Sequence, residues 1–407
     1  MTIQPLHLSG NSNGTYDLTF FSDGYTEDER DKFLLDAKKL TEDIVSEHGA
    51  MYHVAHLLNI WASFTPSAHS GIGTHDAPLP GSAFGLYRPG AELRGVYLAH
   101  YKVARAACAY WRERGRAPEH GRGGCDQPII LGNDGLYGGL GGEFTIITAS
   151  ERNGPIVLRH ELGHSLIDVG EEYEGGEVYS GVNADETDHL HRLKWREYLS
   201  NPSQVRIEDA KVPLQQYPWY NLTRGHYTVN FTSSNTVDLH LEKIYPTGMI
   251  RFSLSSIPYP SHLLFTLNGL PLNLSTAFVP GWQGSLDRRW LEVQLPKGLP
   301  PGSNTITVEL TTQGKDAEEG QGGKMLTSLE VIEYGGEGRF NFTEGNIGAY
   351  QTFSIHGRMT LRPTNEECLM RKVNSPKFCP VCRDGMEAAL KRKIKAKARV
   401  WDSSTGR

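Results

Sequence analysis

Five cysteines among 407 residues are too few for a disulfide-built scaffold. No apolar run approaches the roughly 18 residues that a membrane-spanning helix needs, so none is expected. Basic residues are not in excess: 41 Lys and Arg face 47 Asp and Glu, for a net charge of −6. That balance argues against nucleic acid as a partner. Met1 to Gly14 is polar and lacks the apolar centre of a signal peptide. The expectation is either an intracellular protein or a mature chain with a replacement Met. Cys379-Pro380-Val381-Cys382 has no second CxxC to complete a four-thiol zinc site.

What is present is globular in character, with 38% hydrophobic and 10% aromatic residues. The length suits two or three domains. Cys108 and Cys125 flank a loop of Arg, Gly and His, which suggests a disulfide across it. Cys368 is expected to pair with Cys379 or Cys382, leaving one thiol over. Five sequons, at Asn13, Asn221, Asn230, Asn273 and Asn341, lean toward secretion.

The chemistry is concentrated in His160-Glu161-Leu162-Gly163-His164. Two His at i and i+4 project from one helix face and can converge on a metal. Glu161, one step on from His160, can reach a water at that metal and act as general base. Pro155 suits a first helical position, which predicts a helix from about Gly154 to Val169, stopped by Gly170. The plainer reading is an amphipathic helix with two His on a partly buried face. The acidic pair that follows weighs against it, because a catalytic zinc needs a third protein ligand. In an unbroken helix, position i+11 from His160 would lie about 16 Å along the axis, so the chain must turn, and Gly170 is the expected pivot. Glu171 is preferred as third ligand over Glu172, whose alternative role is a supporting carboxylate or a solvated charge.

Alternating strand and helix patterns over residues 15–170 predict an α/β layer. Strands are expected at Tyr16–Phe21, Asn59–Phe64, Pro128–Gly132 and Glu143–Ala149. Helices are expected at Thr26–Glu47, where Thr26 and Glu29 form a capping box, and at Val96–Arg114. Gly141, Gly142, Glu143 and Phe144, at the head of the last strand, are candidates for a substrate cleft that pairs with an extended peptide. The competing reading is an ordinary hairpin turn. Residues 183–224 read as helix and loop. From His226 to Tyr334, short alternating runs separated by turns read as a β-sandwich. The basic tail from Asp384 to Val400 reads as a solvated helix.

Several stretches together resemble the igalysins, a peptidase family named for a bacterial IgA-cleaving metalloendopeptidase. They are Phe21–Thr26, Ala83–Tyr87, Glu92–Tyr97, Tyr137–Phe144, His160–Tyr173, Arg362–Thr364, Cys368–Arg371 and Phe378–Cys382. The resemblance spans residues 16–224 and 340–390 and leaves 226–335 outside. It implies an α/β (α+β) zincin with a metzincin-like catalytic domain over 1–225 and 336–407, interrupted by an all-β sandwich at 226–335. It implies one catalytic Zn2+, with Met370 as the Met-turn residue beneath it. Metzincins carry Gly three residues after the second His and a third His three later. Here those positions hold Ile167 and Gly170, and igalysins show an Asp-Glu pair where this chain has Glu171-Glu172.

The function expected is a zinc-dependent endopeptidase acting on a protein or peptide, with no nucleic-acid or membrane partner and the oligomeric state left open. One alternative is an inactive zincin scaffold whose β-sandwich binds a glycan or protein. Another is zinc-assisted hydrolysis of a non-peptide amide. Intact His160, Glu161 and His164 argue against degeneracy.

Overall fold

The computed structural model describes residues 1–74, 76–90, 94–114, 124–176, 179–186, 189–235 and 244–405. The expected match at Glu92–Tyr97 lies partly outside them. Two compact units form, one of Met1–Gly170 with Cys368–Arg407, the other of Glu171–Glu367. The divisions fall at 170/171 and 367/368, whereas the sequence suggested 225/226 and 335/336.

The first unit is built on a six-stranded sheet. Its strands are β1 (Thr2–His7), β2 (Tyr16–Asp23), β3 (Leu58–Phe64), β6 (Gln127–Gly132), β7 (Gly139–Leu140) and β8 (Thr145–Thr148), and a small separate ribbon pairs β4 (Leu86–Tyr87) with β5 (Tyr97–Leu98). The order is β1-β3-β2-β6-β8-β7, with β3, β2, β6 and β8 parallel and both edge strands antiparallel. Every residue of β2, β3 and β6 is buried, as expected of central strands covered on both faces. Phe21, Ile130 and Ile146 stand in register and pack with Ala104, Cys108 and Trp111 of α2 (Tyr101–Arg114). Helix α1 (Arg30–Val45) contacts α3 (Gly154–Leu166), and α3 contacts the C-terminal helix Pro380–Thr405.

Most local expectations in this unit hold. The Thr26/Glu29 capping box forms, although it caps a 3-10 turn at Glu27–Glu29 that leads into α1. Cys108 and Cys125 form the expected disulfide. One correction concerns Val96–Arg114: Tyr97 and Leu98 pair with Tyr87 and Leu86, so the helix begins only at Tyr101.

A second correction concerns the remaining cysteines. Cys368, Cys379 and Cys382 are buried thiols without a disulfide. The Sγ atoms of Cys368 and Cys382 stand 3.7 Å apart, well beyond the ~2.05 Å of a bond.

The second unit holds two large antiparallel sheets. One runs β10 (Ala210–Gln216), β18 (Met325–Tyr334), β13 (Thr247–Ser255), β16 (Arg289–Leu295), with β11 (Tyr220–Asn221) also on β18. The other runs β12 (Tyr227–Thr232), β17 (Ser303–Leu310), β14 (Leu263–Leu267), β15 (Leu270–Pro271). Phe252, Leu291 and Leu329 from the first sheet share one apolar core with Phe231, Phe265 and Ile306 from the second. A smaller sheet joins β9 (Ile207–Glu208), β19 (Ala349–Phe353) and β20 (Met359–Arg362). Residues 183–224, expected as helix and loop, thus contribute β9, β10 and β11 as well as 3-10 turns.

Candidate metal centre

Helix α3 starts where the sequence placed it. Asn153 is the N-cap and Pro155 lies in the first turn, where its missing N–H is not needed. The helix ends at Leu166, three residues before the expected Val169. Ile167 is extended, with φ −130° and ψ 161°, and makes the exit. Gly170 does not take a positive φ, so it is not the left-handed pivot that the sequence suggested.

The helical spacing brings the two imidazoles together. The rings of His160 and His164 lie 5.0 Å apart, centroid to centroid, at 76°. His160 is buried and His164 half-buried. Within the same twelve-residue stretch, one nitrogen of each His and one carboxylate oxygen of Glu171 lie within 4.8 Å of one another. Two nitrogens and one carboxylate oxygen make a donor set that suits zinc with one position left open. Glu172 has a different setting. It is 1% exposed, and its Oε1 accepts a hydrogen bond from Asn183 Nδ2 at 2.8 Å.

The glycine segment 138–142 lies against the side of α3 that carries Glu161. A Cβ added to Gly141 would stand 2.7 Å from Glu161 Oε2 and 3.0 Å from His164 Cβ. One added to Gly139 would stand 2.2 Å from Val157 Cγ1. Glycine is needed at 139, where the added carbon would also meet the Ile146 carbonyl at 2.8 Å, whereas at 141 the nearest atom is the end of the Glu161 side chain. The edge strand is β7, Gly139–Leu140, whereas the expected strand at Glu143–Ala149 appears as β8, an inner strand between β6 and β7.

The other cleft candidates separate by role. Gly142 has φ +121° and donates its N–H to Ser165 Oγ at 3.2 Å, and that hydroxyl donates to the Glu161 carbonyl at 2.9 Å. This chain of bonds ties the segment to α3. Glu143 is exposed and paired with Arg105, whose Nη2 is 2.6 Å from Oε2; that pairing holds its carboxyl below the usual range. Phe144 packs against the apolar cluster beneath α2.

Met370 is fully buried, and its Sδ would stand 3.0 Å from a Cβ at Gly163, with Phe378 Cε1 at 3.3 Å. The small residue inside the His motif therefore admits the turn that carries Met370.

Two side chains near this region were not singled out from the sequence. Ser165 links α3 to the 142–145 segment, bonding Thr145 Oγ1 at 2.8 Å as well. Lys393 Nζ donates to the Ser165 carbonyl at 3.2 Å, tying the C-terminal helix to the end of α3. Single Ser and Lys residues carry no pattern that would have marked them.

The model of a peptidase family described as IgA Peptidase M64 matches residues 4–202. The igalysin resemblance is therefore shown over that stretch, and the match supports a peptidase. The similar segments at 340–390 lie beyond it. No curated protein matches the chain. Among solved structures, a family 35 carbohydrate-binding module from Clostridium thermocellum is 12% identical, covering 30% of this chain and 97% of that one, with a TM-score of 0.16. A CBM35 from Paenibacillus barcinonensis is 14% identical, covering 30% and 91%, also at 0.16.

Proposed function

We propose that this chain, matched over residues 4–202 by the IgA Peptidase M64 family, is a zinc-dependent endopeptidase with His160, His164 and Glu171 as metal ligands and Glu161 as general base. The convergence of the three ligand atoms within 4.8 Å carries this reading. Zinc held there would polarise the scissile carbonyl and lower the pKa of a bound water toward ~7. The rest falls to the protein. Glu161 follows the first ligand on the helix and its Oε2 faces the Gly141 backbone. From there the carboxylate takes a proton from the attacking water and hands it to the leaving amine. Edge strand β7 offers main-chain groups to an extended peptide, and Gly139 with the flanking Gly138, Gly141 and Gly142 keeps that edge low.

The same reading makes the fold a metzincin-like zincin with Met370 as an apolar floor. Residues 226–335 form the bulk of an inserted β-sandwich, supported by two sheets closing on one core. The Cys108–Cys125 disulfide and the five sequons support a secreted protein. No helix among the described residues is long and apolar enough to cross a membrane. The substrate class is protein or peptide, without nucleic acid or membrane.

The test is direct. Purified protein should carry zinc by elemental analysis and cleave casein or gelatin until a chelator is added. Glu161→Gln should retain the zinc and lose about 10²–10⁴ in rate, the usual worth of a positioned acid–base group. Unchanged turnover by that variant would sink the mechanism. Absence of both zinc and cleavage would favour a binding scaffold instead.

A further inference from the structure

Three buried sulphur atoms lie outside the peptidase chemistry. Cys368 precedes Leu369 and Met370; Cys379 directly precedes the C-terminal helix, and Cys382 lies in its first turn. All three are at most 3% exposed, and their Sγ atoms lie within 4.8 Å of one another. We propose that Cys368, Cys379 and Cys382 form a second metal centre, a buried three-thiolate site for zinc that pins the Met370 turn to the start of the C-terminal helix.

The spacing fits a metal better than a disulfide. Two sulphurs on a tetrahedral zinc at ~2.3 Å stand roughly 3.8 Å apart. The Cys368–Cys382 separation is 3.7 Å. An odd set of thiols cannot be consumed by pairing, whereas one ion engages all three. Zinc's fourth position is then left for an oxygen donor.

Electrostatics points the same way. A divalent cation supplies the charge that holds the sulphurs deprotonated. The positive end of the 26-residue helix Pro380–Thr405, at Cys379 and Cys382, adds to it. The backbone is already shaped for convergence. Arg371 and Lys372 N–H both donate to the Cys368 carbonyl at 2.9 Å, and Leu369 N–H closes the turn on the Lys377 carbonyl at 3.0 Å. That turn places Met370 and Phe378 against Gly163, so the thiol centre would brace the floor beneath the His helix.

The experiment uses the full chain, purified under reducing conditions and dialysed against trace zinc. The parent should hold two zinc ions. His160→Ala/His164→Ala should keep one, and adding Cys382→Ser should remove it. As a readout independent of the serine variant's stability, Co2+ is also titrated into the His160→Ala/His164→Ala protein, where a thiolate-to-cobalt charge-transfer band in the near ultraviolet is expected. No zinc in the histidine variant together with no such band overturns the proposal. So does a disulfide among these three cysteines in parent protein purified without reductant. Failure of the peptidase reading looks different: one zinc in the parent, unchanged by the histidine substitutions, with the cobalt band intact.

Discussion

Substituting Gly141 by Ala tests the proposed role of Glu161, with zinc content as the check on the ligand His164, whose Cβ would stand 3.0 Å from the added carbon. The added Cβ would stand 2.7 Å from Glu161 Oε2 and 3.1 Å from the Glu161 carbonyl. A carbon–oxygen contact settles near 3.4 Å, so the carboxylate must retreat by roughly 0.7 Å. Oε2 is the far end of a flexible side chain and retreats cheaply, whereas His164 Cβ at 3.0 Å and the Glu161 carbonyl at 3.1 Å belong to α3 and must give by a few tenths of an ångström, so a modest loss of stability accompanies the change. The base, however, is displaced. A misplacement of about 1 Å can cost ~10²-fold in rate, which is about 2.7 kcal/mol of barrier. The assay is kcat/KM on casein or a quenched peptide, with zinc content and Tm measured on the same preparation. Reduced kcat with zinc retained and Tm within a few degrees is the expected result. Full activity with stoichiometric zinc would refute the placement of Glu161 as proton carrier. Gly142→Ala is the matched control. Nothing lies within 4 Å of its Cβ, but φ is +121°. It should lose roughly 1–2 kcal/mol of stability from backbone strain and keep its activity per folded molecule.

Two further outcomes follow from the scaffold. Replacing Cys108 and Cys125 by Ala opens a loop of sequence separation 17 and should cost about 3 kcal/mol, read as a lower denaturant midpoint with unchanged activity below the transition. Lys397 Nζ is 2.7 Å from Asp17 Oδ2 and also pairs with Asp126, all three side chains being nearly buried. Lys397→Met leaves two buried carboxylates facing each other and should destabilise by about 3–5 kcal/mol at neutral pH. Burial already raises the Asp126 pKa against the pull of Lys397. A raised folded-state carboxyl pKa penalises stability above the unfolded value and not below it. The deficit of the variant should therefore shrink as pH falls; a deficit independent of pH would count against the ion-pair explanation.

The first unit was legible where local chemistry decides structure. Thr26 with Glu29, Pro155 in the first turn of α3, and the 160/164 spacing are satisfied by neighbours in sequence. Tertiary context hid the rest. Strand β13 carries Arg251 in its middle, which reads as surface. In the fold that guanidinium is buried, paired with Glu292 at 3.0 Å and Glu330 at 3.4 Å and also with Glu366. The strand lies between β18 and β16 with most residues buried, so no polar alternation marks it. Strand β10 contains Pro213, normally a strand breaker. It is tolerated because β10 is an edge strand and its register shifts between Lys211 and Leu214, around that proline. Spacing served for Cys108 and Cys125 but misled for Cys368: it gives the reach between thiols, while partner geometry decides whether a bond forms.

The third ligand shows how far a motif's logic extends. Helical periodicity places His160 and His164 together with no help from the rest of the chain, because i and i+4 share a face. It cannot place Glu171, since continuing the helix would carry that carboxylate about 16 Å along the axis. The helix stops at Leu166 instead, and extended Ile167 begins a return that needs no left-handed glycine. That exit is compatible with Ile167 where metzincins require Gly, because an extended φ suits a β-branched side chain. In the proposed site, a chain that leaves the helix early and extended would deliver a different residue, Glu171, to the metal. The longer reach of a Glu side chain suits a backbone that arrives by another route. The two adjacent carboxylates separate on the same ground: Glu171 is half-buried beside the imidazoles, while Glu172 is buried with Asn183 donating to it.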